Sequence, residues 1–132
     1  MKTRDIKQRV KINAKAEAIY KALMNSKQHS AFTGAGAKLS SKEGGKFEVY
    51  DGYAYGKNIK LVKNKKIIQS WRANDSKWPK DHFSAVTYNL KQGKGFTTID
   101  FIQLGVPAGV AKSIAKGWCD YYWEPLKQYL EK

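Results

Sequence analysis

The stretch "PAGVAKSIAKGWCDYYWEPLKQYLE", Pro107 to Glu131, decides the fold. Val110, Ile114, Trp118, Tyr122, Leu126 and Tyr129 recur at spacings of three and four, which lays one apolar stripe along a helix. The spacing predicts a long amphipathic helix begun near Pro107 and bent at Pro125, whose missing N–H removes one backbone bond. Such a stripe needs an apolar surface to lie on.

The chain upstream supplies that surface as strands. In "DIKQRVKINA" Ile6, Val10 and Ile12 share one parity and Lys7, Arg9 and Lys11 the other, the two-residue period of a half-buried strand. "KAEAIYKALMN" then places Ala16, Ile19, Tyr20 and Leu23 at helical spacing with Asn13 as the expected N-cap, and "SKQHSAF" reads as a second short helix ending before Gly34. From Ala37 to Leu104 the segments "AKLS", "KFEVYD", "YGKNIKLVKN", "KKIIQSWRA", "HFSAVTYNLKQ" and "GFTTIDFIQL" are strands. Turn signals divide them at Gly44-Gly45, Asp51-Gly52, Asn64, Trp78-Pro79 and Gly93 to Gly95. Short connections make neighbours antiparallel. The expected fold is therefore α+β: a curved antiparallel sheet of about seven strands around a long C-terminal helix, with two short helices after the first strand, as one domain over residues 1–132. A curved sheet and a helix do not fill space uniformly, so a cavity is expected between them.

Composition narrows the function classes. Hydrophobic residues make up 42% of the 132-residue chain, enough for a core, and no run of about eighteen apolar residues is present. The expectation is a soluble, cytoplasmic protein without membrane insertion. One cysteine, Cys119, and two histidines, His29 and His82, offer no disulfide and no metal-ligand spacing. The formal charge of +14 attracts acidic partners, but 22 of the 25 basic residues are lysine and only Arg4, Arg9 and Arg72 carry the bidentate fork that specific nucleic-acid recognition favours. No specific nucleic-acid binding is expected.

With these elements in order, "AFTG" (Ala31 to Gly34), "GGKF" (Gly44 to Phe47), "DG" with Gly56, "WR" (Trp71 and Arg72), "SKWPKDHFSAVT" (Ser76 to Thr87), "GVP" (Gly105 to Pro107) and "GWCDYYWEPLKQYL" (Gly117 to Leu130) form a set that covers essentially the whole chain. Together they resemble the C-terminal domain of the activator of heat-shock protein 90 ATPase, within the START-like helix-grip superfamily. The resemblance implies a helix-grip fold, a cavity for apolar molecules under the long helix, and a co-chaperone relationship. In the eukaryotic co-chaperone the similar domain follows an N-terminal domain that makes much of the chaperone contact.

No constellation in the chain carries enzyme chemistry. The glycine-rich "AFTGAGAKLSSKEGGKF" lacks the Gly-Lys-Ser/Thr ending of a nucleotide loop and leads into a strand, so Gly34 reads as a helix stop and Gly44 and Gly45 as positive-φ turn residues. Asp81, His82 and Ser84 do not make a hydrolytic trio, because Asp81 has the opposite strand parity. Glu48, Asp51 and Asp100 are the acids in or beside core strands; facing the cavity, one of them would act as a general acid or a ligand anchor. The aromatic residues are the richer signal. Candidate pocket residues are Phe47, Val49, Trp71, Val86, Ile99 and Phe101 from the strands, with Ile114, Trp118 and Tyr122 from the helix. Trp78 is expected in an exposed loop as an anchor for a partner, flanked by Lys77 and Lys80. The expectation is a non-enzymatic binding protein without catalytic residues, metal or cofactor, taking an apolar or amphipathic small molecule. The alternative is an interaction module acting on a heat-shock protein 90 chaperone, in either case as a monomer or weak dimer.

Overall fold

A computed structural model describes residues 1–131. Seven strands form one antiparallel sheet in the order β1-β7-β6-β5-β4-β3-β2, with β1 Thr3–Ile12, β2 Lys38–Leu39, β3 Lys46–Val49, β4 Ala54–Val62, β5 Lys66–Ala73, β6 Ser84–Gln92 and β7 Thr97–Pro107. Helices α1 (Ala16–Met24) and α2 (Ser26–Thr33) follow β1. The chain closes with α3 (Ala111–Trp118), a π-helical turn (Cys119–Trp123) and α4 (Glu124–Leu130). This is the α+β helix-grip arrangement that the periodicity implied. Among the described residues no helix is long and apolar enough to cross a membrane.

Alternation places the core. On β5 every second residue (Ile67, Gln69, Trp71, Ala73) is buried, and on β6 and β7 the buried parity runs through Val86, Tyr88 and Leu90 and through Ile99, Phe101 and Gln103. Ladder pairs such as Tyr88 with Phe101 put large side chains of adjacent strands on the same inner face. Ionic groups stay outside: Asp100 on the outer parity of β7 meets Arg9 at 2.7 Å and Lys91 at 3.0 Å.

Two local expectations are corrected here. Helix α1 is not capped by Asn13; its N-cap is Lys15, and the Ala16 N–H donates to Gln92 Oε1 at 2.8 Å, a cap supplied from the end of β6. Helix α2 has the ordinary side-chain cap, Asn25 accepting from the Gln28 N–H. Gly34 (φ 76°) and Gly44 (φ 81°) are left-handed, but Gly45 is not: a Cβ there would overlap the Ser40 side chain, so the residue is small because the loop folds against it.

The C-terminal helix begins at Ala111, later than Pro107, and its irregularity lies one turn before Pro125. There the Glu124 N–H bonds the Cys119 carbonyl, five residues back. A proline at 125 has no N–H for the Tyr121 carbonyl and its ring crowds that oxygen, so the helix widens into one π turn. The freed Tyr121 carbonyl accepts instead from the Tyr50 hydroxyl, across from the β3–β4 turn.

Candidate functional site

Between the C-terminal helix and the β3–β5 end of the sheet lies a cavity of about 420 Å³. The sheet side contributes Val49, Trp71 and Ala54, and the β3–β4 turn Tyr50 and Tyr53. Helix α3 contributes Ser113, Ile114, Gly117 and Trp118, and the π turn Tyr121 and Tyr122. Rings and aliphatic groups dominate this wall, with hydroxyls as its polar points.

The turn at the mouth is unusual in its backbone. Tyr50, Asp51 and Gly52 all have positive φ (50°, 57° and 91°), a strained run for the two residues that carry a Cβ. Backbone bonds from the Asp51 N–H to the Gly36 carbonyl (3.0 Å) and from the Gly52 N–H to the Val49 carbonyl (3.2 Å) hold it, and two side chains brace it: Asp51 Oδ1 accepts from the Gly36 N–H at 2.9 Å, and the Tyr50 hydroxyl reaches Tyr121. Burial, with Tyr121 nearby, pushes the Tyr50 phenol up to about 12.

Helix placement against the sheet rests on two glutamines. Trp118 Nε1 donates to Gln103 Oε1 at 2.8 Å; Gln103 Nε2 donates to Ser84 Oγ at 3.0 Å, and Ser84 Oγ donates to the Trp71 carbonyl at 2.7 Å. Gln8 receives Trp123 Nε1 at 2.7 Å and donates to the Ala115 carbonyl at 2.9 Å. Both indoles are thus satisfied and oriented. The Trp118 ring lies 4.4 Å from Phe101, 4.7 Å from Tyr122 and 5.6 Å from Trp71, centre to centre.

The nine candidate pocket residues divide by depth. Val49, Trp71, Ile114, Trp118 and Tyr122 meet at the cavity. Phe47 lies deeper, on a small inner chamber that also touches Val49, Trp71 and Tyr122. Val86, Ile99 and Phe101 do not reach either space: they are at most 1% exposed, with Phe101 covered by Trp118 and Trp123. Inward parity reported their burial, not their distance from the cavity. The sequence reading missed Tyr50, Tyr53, Ala54, Ser113, Gly117 and Gln103. Gln103 had a signal, a polar residue on the inward parity of β7 beside Ile99 and Phe101.

Trp78 is corrected. It is 2% exposed, with its ring 5.7 Å from Trp71 and its Nε1 donating to the His82 carbonyl at 2.7 Å, so it cannot anchor a partner; Lys77 and Lys80 beside it are exposed. His82 precedes β6 and Nε2 meets the Gly105 carbonyl at 2.6 Å, while Ser84 is spent on Trp71, which leaves no histidine–serine pair. Of the acids, Asp100 holds its outer ion pairs, Glu48 faces Lys38 at 3.8 Å, and Asp51 braces the turn. None lines the cavity.

The model of the activator of Hsp90 ATPase homolog 1-like proteins matches residues 13–131. The chain belongs to this family. It is 32% identical over 125 residues to an uncharacterized protein of Schizosaccharomyces pombe, covering 95% of this chain and 37% of that one. To the activator of 90 kDa heat shock protein ATPase homolog 2 of Mus musculus it is 33% identical over 100 residues, 76% of this chain and 30% of that one. The chain thus spans about a third of the length of these curated relatives. Among solved structures, an HSP90 activator from Plasmodium falciparum superposes with a TM-score of 0.87 at 21% identity over 94% of both chains. The Aha1 dimer from Colwellia psychrerythraea gives 0.79 at 19% identity over 97% of this chain and 96% of that one. At these identities the structures establish the shared fold.

Proposed function

We propose that the chain is a non-enzymatic binding domain that takes an apolar or amphipathic small molecule between the C-terminal helix and β3–β5. The observation that carries this reading is the cavity itself: about 420 Å³ falls within the range of ligand sites, and its wall of tyrosines and tryptophans offers large apolar area with hydroxyl tips. Among the described residues that wall contains no carboxylate, amine or imidazole to move a proton, which favours binding over turnover. Native mass spectrometry of the protein purified from its own host tests the reading. A retained small-molecule adduct, lost in a Gly117→Leu variant, is expected; protein of bare mass that also takes up no added apolar probe overturns it. The same spectra report monomer or dimer.

Family membership favours a second reading, a module that binds and stimulates a chaperone of the Hsp90 class. Charge supports it: +14 overall, with Lys77 and Lys80 exposed beside the buried Trp78, suits an acidic partner surface. Titration of such a chaperone's ATPase with this protein is expected to raise the rate, less so at high salt. An unchanged rate without detectable binding refutes it.

A further inference from the structure

Beside the cavity lies a second, smaller space of different chemistry. Behind the shared wall of Val49, Trp71 and Tyr122 sits the inner chamber, with room of about 10 Å³, the space of one small polar group. Its lining includes four residues that carry polar atoms, His29, Gln69, Tyr88 and Tyr122. His29 comes from α2 and is 2% exposed; its Nε2 lies 3.0 Å from the Tyr122 hydroxyl, and its buried Nδ1 has no partner among the described residues. Gln69 commits its Nε2 to Asn58 Oδ1 at 3.0 Å, which leaves its carbonyl oxygen as the free acceptor. A core built only for packing would place apolar side chains at these positions, because a buried polar group without a partner is destabilising.

We propose that this chamber receives one uncharged hydrogen-bonding group, a hydroxyl or a carbonyl, at the tip of a ligand whose apolar body fills the outer cavity. The proposal rests on the cavity reading above and adds to it the class of ligand. Tyr122 stands in both spaces, so a ligand tip that displaces its ring slightly exchanges the Tyr122–His29 bond for bonds to itself. The opposing groups exclude an ion. Burial keeps His29 neutral above about pH 4 and holds the Tyr88 and Tyr122 phenols protonated, so no charge awaits a carboxylate or an ammonium there.

The test compares octanol, octyl chloride and octanoate, three probes with one chain and different tips, by tryptophan fluorescence of the intact protein. A purely apolar site favours octyl chloride, which leaves water more readily than the alcohol. The proposal expects the reverse, octanol binding at least threefold tighter than the chloride and tenfold tighter than octanoate. In Tyr122→Phe, which keeps the ring, the octanol advantage is expected to vanish while the chloride binds as before; His29→Phe is expected to do the same, and the gentler variant stands if it fails to fold. Chloride binding as tightly as octanol, an advantage that survives in Tyr122→Phe, or octanoate binding tightest overturns the chamber and leaves the cavity reading intact. Failure of all three probes to bind overturns both.

Discussion

Replacing Gln103 by leucine probes the link between helix position and cavity shape. Gln103 is fully buried and joins three elements through the Trp118 indole, Ser84 and the Trp71 carbonyl. Leucine has a similar volume, so the packing term is small, but the Trp118 N–H loses its acceptor in a residue only 3% exposed. A buried donor left unsatisfied costs about 1–3 kcal/mol, and Ser84, which keeps its bond to Trp71, adds a fraction more. The expected net loss is about 2 kcal/mol, a urea midpoint lowered by about 1–2 M at an m-value of about 1–2 kcal/mol/M. The companion variant Trp118→Phe removes the donor, and the double variant removes both partners. If the hydrogen bond matters as described, the double variant loses less than the sum of the single ones by about 1–2 kcal/mol. A Gln103→Leu loss below about 0.5 kcal/mol, or strict additivity in the cycle, refutes the reasoning.

Three further outcomes are expected. Gly117→Leu grows into the cavity, where the nearest neighbour of an added Cβ is Tyr121 Cδ2 at 3.7 Å; it should preserve or raise stability, by up to about 1 kcal/mol from helix propensity, while weakening octyl chloride binding at least tenfold. Tyr50→Phe removes the hydroxyl that serves the Tyr121 carbonyl, and amide exchange across residues 119–124 should quicken several-fold with a global loss of about 1 kcal/mol or less. Because burial lowers His29 from 6.5 to about 4, the unfolded chain binds a proton first as pH falls, so stability present above about 6.5 is lost between there and about 4. The titratable groups that share the chamber with His29 are the phenols of Tyr88 and Tyr122, neutral throughout this window; Asp100 lies on the outer face of the sheet, held below the ordinary carboxylate range by hydrogen bonds from Arg9 and Lys91. Urea titrations should show a loss of roughly 3 kcal/mol, at about 1.4 kcal/mol per pH unit, flattened in His29→Phe; an equal slope in that variant contradicts it.

The layout was legible in the sequence because each of its signals is local. Period-two alternation in Ile67 to Ala73 and in Ser84 to Leu90 needs only the pleat, and the Gly34 stop needs only a left-handed φ. What escaped depends on chain segments far apart. The burial of Trp78 follows from Trp71 and the His82 carbonyl closing around it, and nothing in "SKWPKD" announces them. Cap substitution at Ala16 by Gln92 spans 76 residues. Pro125 announced a disturbed helix, but that the disturbance would take the form of a π turn, and that Tyr50 would serve the freed carbonyl, belongs to the tertiary structure. For the cavity, parity separated inside from outside, whereas the line between Trp71, on its wall, and Phe101, sealed beneath Trp118, is drawn by how far the helix stands off at each end.

The π turn also sets the direction of everything after it. One residue beyond the α-helical count advances the downstream chain by about 100° around the axis. Before the turn, the helix addresses the sheet through Ile114 and Trp118; after it, α4 addresses the two short helices, with Tyr129 6.3 Å from Phe32 and Leu126 fully buried. The single surplus residue thus acts as a joint that lets one helix close two different surfaces. Its length is therefore fixed from both sides: deleting one residue between Cys119 and Trp123 would turn Leu126 and Tyr129 away from α2 while leaving Trp118 seated.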